Sequence, residues 1–242
     1  MFPTETQEIL LPTLARMREF VLLGGPAMWA IAVLSTITLA LILWKTWRLA
    51  MLGAWSGGKA VERALTDWAA DRHDTAIAGL AARHGLRARL VCAAMHADRT
   101  PGLRPEDAQA ETVRVAKMLL AQARAGLRGI ELAVVIGPLL GLLGTVTGMI
   151  AAFQALQEAG ARADPATLAG GIWEALLTTA AGMAVAIPAQ IALSWFESVI
   201  ERLRHDMEDA ATRVFVARPD TRPAAQPLAR ARHVPAQLHV AE

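Results

Sequence analysis

Glu174 is a lone carboxylate in otherwise apolar surroundings, in the segment Gly170-Gly171-Ile172-Trp173-Glu174-Ala175-Leu176-Leu177-Thr178-Thr179-Ala180-Ala181-Gly182. A carboxylic group so placed can hold a proton and release it. Thr178 lies one helical turn from Glu174 on the same face. Thr179, displaced by about 100°, continues as Gly182, Ala186 and Ala189, a narrow row of small residues. A charge at mid-membrane costs about 2.5–3.5 kcal/mol on insertion scales, so such a residue faces a bundle interior or a watery cavity. At an outer interface the same residue would instead suit a helix N-terminus. Spacing leaves both readings open.

A second constellation precedes it. Gly137, Gly141, Gly144 and Gly148 recur at intervals of four, three and four, which puts them on one helix face. Small residues let membrane helices approach closely, so the stripe reads as a packing seam against a neighbouring helix. Thr145 and Thr147 flank it on opposite sides, where each hydroxyl can simply bond its own backbone one turn back. Other patterns carry less. Gly53-Ala-Trp-Ser-Gly-Gly-Lys59-Ala60 has phosphate-loop spacing, but Ala60 stands where a magnesium-binding Ser or Thr belongs. It reads as a turn after a membrane helix. The six histidines show no metal-ligand spacing, so neither a metal nor another cofactor is expected. The lone Cys92 reads as a small buried residue.

The elements that carry these residues follow from charge. Of the 242 residues, 54% are hydrophobic and 19% charged, against about 45–50% and about 25% in soluble domains. The charge-free runs are 25 residues between Glu19 and Lys45, 26 between Glu131 and Glu158, and 22 between Glu174 and Glu197. Each reaches the roughly 20 residues that an α-helix needs to cross a bilayer. The expected fold is therefore an all-α integral membrane protein with three transmembrane helices. The second and third should extend into a cytoplasmic helical domain. A soluble enzyme and a β-barrel are excluded.

Lysine plus arginine number 2 before the first run, 14 between the first and second, 1 between the second and third, and 7 after the third. Positive residues mark the cytoplasmic side, which predicts the N-terminus outside and the C-terminus inside. The expected organisation is an outer segment over 1–20, a first span over 21–47, a cytoplasmic helical domain over 48–130 and a second span over 131–157. A short outer loop over 158–170, a third span over 171–196, a helical extension over 197–217 and a disordered tail over 218–242 complete it. Trp44 and Trp47 beside Lys45 and Arg48 read as an interfacial belt. With only Pro138 to interrupt it, residues 106–158 are expected to form one near-continuous rod, and residues 165–213 another.

Two segments carry a family likeness. Gly137-Pro138-Leu-Leu-Gly-Leu-Leu-Gly-Thr145-Val-Thr-Gly-Met-Ile150 resembles the second-span signature of the ExbB/TolQ/MotA proton-channel family. Gly171-Ile-Trp-Glu174-Ala-Leu-Leu-Thr-Thr179-Ala-Ala-Gly-Met-Ala-Val-Ala-Ile187-Pro188-Ala189 resembles its third-span signature, most closely on the ExbB side. Leu193-Ser194 stand where the family usually has Tyr-Asn. The resemblance implies a pentamer around a central pore holding two single-span ExbD-type helices. It implies that Thr145, Glu174 and Thr179, with Thr178 beside them, line the proton pathway next to the partner's aspartate. Gly137, Pro138, Gly141, Gly144, Gly148, Gly182 and Pro188 would pack the helices.

The implied function is that of a subunit, not an enzyme, in a proton-driven motor of the bacterial inner membrane that works a TonB-like protein. Its contacts would be those proteins and membrane lipids, with no nucleic acid. A TolQ-like subunit of the envelope-constriction system and a non-conducting membrane scaffold are the alternatives.

Overall fold

The computed structural model describes residues 25–54, 58–160 and 164–217, and every regular element among them is a helix. The expectations for the outer segment 1–20 and the tail 218–242 lie outside the described residues. The helices are α1 (Gly25–Met51), α2 (Gly58–Ala69), α3 (His73–Ala81), α4 (Leu86–Arg99), α5 (Pro105–Arg124), α6 (Leu127–Ala159) and α7 (Pro165–Val216). Three are long and apolar enough to cross a membrane: α1, α6 and the stretch Leu168–Val216 of α7. The chain is an all-α membrane protein.

These helices hide their polar groups in the ways that hydrocarbon demands. Along α1, Thr36, Thr38 and Thr46 donate their hydroxyls to the carbonyls of Ala32, Leu34 and Ile42, one turn back. Outward faces are apolar. Trp29, Val33 and Ile37 on α1, Leu139 and Val146 on α6, and Leu176 and Ile187 on α7 are all exposed, the reverse of a soluble surface.

Helix α7 is the mast of the structure. Pro165 opens it and the Asp164 carboxylate caps it, accepting from the Ala166 amide at 2.9 Å. Its 52 residues make a rod of about 78 Å. In its second half Phe196, Val199, Ile200, Leu203, Met207, Ala210 and Val214 are buried at helical spacing, and α2, α4 and α5 gather on that stripe. Trp68 of α2 donates its indole N–H to the Val214 carbonyl at 3.1 Å. Arg213 clasps Glu62 through two bonds of 2.8 and 3.0 Å.

The Arg213 hydrogen bond holds the Glu62 carboxyl below its ordinary value of 4.5. A depressed folded-state value stabilises the fold above the unfolded value, and that contribution is lost as pH falls through the lower one. Thermal melting of the purified protein should therefore include a decline, removed by Glu62→Gln, as the pH falls below the ordinary value of 4.5. Both side chains are solvent-exposed, so the contribution is under about 1 kcal/mol.

The expected single rod over residues 106–158 is not formed. It is two helices, α5 and α6, separated at Ala125-Gly126. Gly126 takes a φ of +87°, which only glycine adopts readily. A Cβ there would lie 2.5 Å from Cζ3 of Trp44. The break thus lies where α1 packs directly against the chain.

Candidate functional site

Helices α6 and α7 form an antiparallel pair in which backbone meets backbone. A Cβ added to Gly137 would lie 3.0 Å from the Gly182 carbonyl oxygen, and one added to Gly141 would lie 2.9 Å from the Thr179 Cα. At Gly144 it would lie 2.5 Å from Thr178 Oγ1 and 3.1 Å from the Ala27 Cβ of α1. At Gly148 it would lie 3.2 Å from the Ala175 Cβ. The glycine stripe therefore faces α7 of the same chain, and near Gly144 it also touches α1. Pro138 and Pro188 sit within α6 and α7 without ending either helix.

The threonines lie along this seam. Thr178 is buried and donates to the Ala175 carbonyl at 2.7 Å, with the Gly141 carbonyl 3.5 Å away. Thr179 crosses the seam, donating to the same Gly141 carbonyl at 3.1 Å. Thr145 is partly buried and donates back to Leu142 at 2.7 Å. Thr147 is exposed and bonds the carbonyls of Leu143 and Gly144. Each hydroxyl uses its proton on a backbone carbonyl and keeps lone pairs to accept with.

Glu174 stands one turn from Thr178, partly buried. Its position is not the start of its own helix. Pro165 is nine residues earlier, about 13 Å along the axis, and Asp164 already caps that end. The carboxylate instead approaches the first described residue of α1: Oε1 is 3.5 Å from where a Cβ on Gly25 would be. Gly25 has a φ of +59° and no side chain to obstruct the approach. The structure thus sets Glu174 beside the start of α1, Thr178 where α1, α6 and α7 meet, and Thr179 across the α6–α7 seam. Each of these oxygens can accept a hydrogen bond, and the carboxylate can also bind a proton.

The sequence compares accordingly. Residues 77–209, more than half of the chain, match the MotA/TolQ/ExbB proton channel family. The chain belongs to that family. Its matched region takes in both signature spans and most of the inner helices. The biopolymer transport protein exbB1 of Vibrio cholerae is 40% identical over 90 residues, covering 36% of this chain and 40% of that protein. An ExbB-like biopolymer transport protein of Synechocystis is 51% identical over 69 residues, covering 28% and 27%. A Methanothermobacter thermautotrophicus ExbB homologue is 48% identical over 62 residues, covering 26% and 21%. The matches thus span well under half of each relative's length, and within the family the likeness is to its ExbB-like members.

The roles of two residues went unnoticed in the sequence. Lys45, read there as an interfacial anchor, is fully buried and donates to the carbonyls of Ala123 at 2.5 Å and Ala125 at 2.7 Å. Gly126 forms the break beside it. A cation in the last turn followed by glycine, as in Arg124-Ala125-Gly126, is a helix-stop signal that marks this break.

Proposed function

We propose that the chain is an ExbB-like subunit of an inner-membrane motor driven by the proton-motive force. Glu174 and the threonine hydroxyls of the α6–α7 seam form its share of a proton pathway. The observation that supports this most is the arrangement itself: a carboxylate well inside α7, with the Thr178 and Thr179 hydroxyls beginning one turn further in. Gly25 and Trp44 are 19 residues apart on α1, about 28 Å, close to the thickness of a hydrocarbon core. With Trp44 at the inner boundary and the N-terminus outside, Glu174 stands near the outer entrance.

One elementary charge falling through 100 mV releases about 2.3 kcal/mol. To harness it, a proton must be bound on one side and released on the other. One carboxylate and several hydroxyls make an incomplete relay. A second protein must supply the central acid, in this reading a single-span ExbD-type partner, present as two copies inside a pentamer of this chain. Thr145 and Thr179 face that partner and accept from its protonated carboxyl. The complex works a TonB-like protein; the names of the matched relatives favour this over the TolQ-like role.

Co-expression with a candidate ExbD-type protein tests the assignment. The two are expected to co-purify in one detergent-stable complex whose proton flux requires both. A chain that purifies alone from cells holding that partner, with no flux when the two are combined, is a scaffold and not a channel subunit.

A further inference from the structure

Helix α1 grips the α5–α6 break with one face. Leu41, Trp44, Lys45 and Arg48 fall at i, i+3, i+4 and i+7, a single helical stripe. A Cβ on Gly129, in the first turn of α6, would lie 3.0 Å from a Leu41 methyl. The Trp44 ring fills the space over Gly126, and the Arg48 guanidinium sits 5.0 Å from the centre of that ring. Between them the Lys45 ammonium reaches the carbonyls of Ala123 and Ala125, one on each side of the end of α5.

That ammonium meets a specific need. The last carbonyls of a helix have no intrahelical partner and carry the negative end of its dipole. Ala123 is completely buried, so water cannot satisfy its carbonyl, and an unpaired buried acceptor is costly. A cation delivered from another helix answers both the missing donor and the charge. A fully buried lysine is rare unless it is paired in this way.

We propose that Lys45 is a lock on this joint. It makes the two-residue break a rigid elbow instead of a hinge, so α1, α5 and α6 move as one body. Any displacement of the membrane helices then passes directly to the inner helices packed on α7. Without the lock, α5 would flex against α6 at Gly126, and the coupling of the membrane and inner parts would fall to the unbroken α7.

The test uses full-length protein in nanodiscs, with Lys45→Met keeping the length of the aliphatic stem while removing charge and donors. Amide exchange over residues 121–125 should rise about tenfold or more, the scale of losing hydrogen bonds from a charged donor. Spin labels at the exposed positions Val113 and Val135, in a Cys92→Ala background, should change from one narrow distance distribution to a broad one. Lys45→Gln, which keeps a shorter, uncharged donor, should fall between the two and serves if the methionine variant is not recovered. Lys117→Met, which removes an exposed cation from α5, should match the parent in both readouts. Exchange within about twofold of the parent and an unchanged narrow distribution in Lys45→Met or Lys45→Gln would overturn the proposal. Neither readout depends on proton conduction, so the result stands apart from that of the channel reading.

Discussion

Gly144→Leu is expected to abolish the packed three-helix corner and with it any recoverable assembly. The Cβ alone would lie 2.5 Å from Thr178 Oγ1, 2.7 Å from the Thr178 Cβ and 3.1 Å from Ala27. Those neighbours belong to two different helices, so neither can retreat without separating from the other. Leucine adds three more carbons to a space that has none. Overpacking of a tight core costs about 1–3 kcal/mol where side chains can yield, and here helix axes must part. The total approaches the few kcal/mol by which an ordinary domain is stable. Native mass spectrometry of membrane-extracted protein should find no oligomer. Gly148→Ala, whose new methyl would meet only the Ala175 side chain and adjoining backbone at 3.2 Å or more, should remain assembled. An intact Gly144→Leu oligomer would show that this seam is not what holds the spans together.

The next largest effect falls on function with the fold retained. Thr179→Val keeps volume but removes the donor to the Gly141 carbonyl and the lone pairs proposed to meet a partner acid. Thr145→Val removes a bond within its own helix only. Each is expected to reduce energy transduction about tenfold while leaving assembly nearly intact, the kinetic scale of losing one hydrogen bond of about 1–1.5 kcal/mol. Thr147→Val, on the exposed flank, should be mild. Glu174→Gln keeps hydrogen bonding and loses titration, whereas Glu174→Ala loses both. Failure of both assigns a protonation role; function in Gln with failure in Ala assigns a hydrating or structural one. Growth on a substrate that needs outer-membrane import reads all five variants. Should Thr147→Val abolish growth while Thr145→Val is harmless, the assigned pathway face is wrong.

The parts legible in the sequence were those written in local chemistry. Three charge-free runs declare three membrane helices because hydrocarbon admits no alternative over that length. The spacing of Gly137, Gly141, Gly144 and Gly148 declares one face, because 3.6 residues per turn fixes it. Which helix that face meets is a tertiary fact, and the structure answers α7 of the same chain with a touch of α1. Glu174 could have suited the beginning of its own helix. Only the Asp164 cap, placed by a start at Pro165, assigns that end to another residue.

The break at Gly126 was missed because the Arg124-Ala125-Gly126 stop signal is short and residues 106–158 contain good helix formers on both sides of it. What holds the chain at that break is Trp44 and Lys45, some 80 residues away in sequence. A tryptophan and a lysine at a span's inner end match an interfacial belt so well that their role as a clamp left no separate trace.

In the proposed function this chain, with an ExbD-type partner, conducts protons past Glu174 and the seam threonines. Proton uptake into liposomes holding the purified complex, driven by an imposed potassium diffusion potential, measures it most directly. The expected flux needs both proteins, survives Thr147→Val and falls about tenfold in Thr179→Val. A complex that forms normally yet passes no protons, or passes them equally well in Thr179→Val, would contradict it.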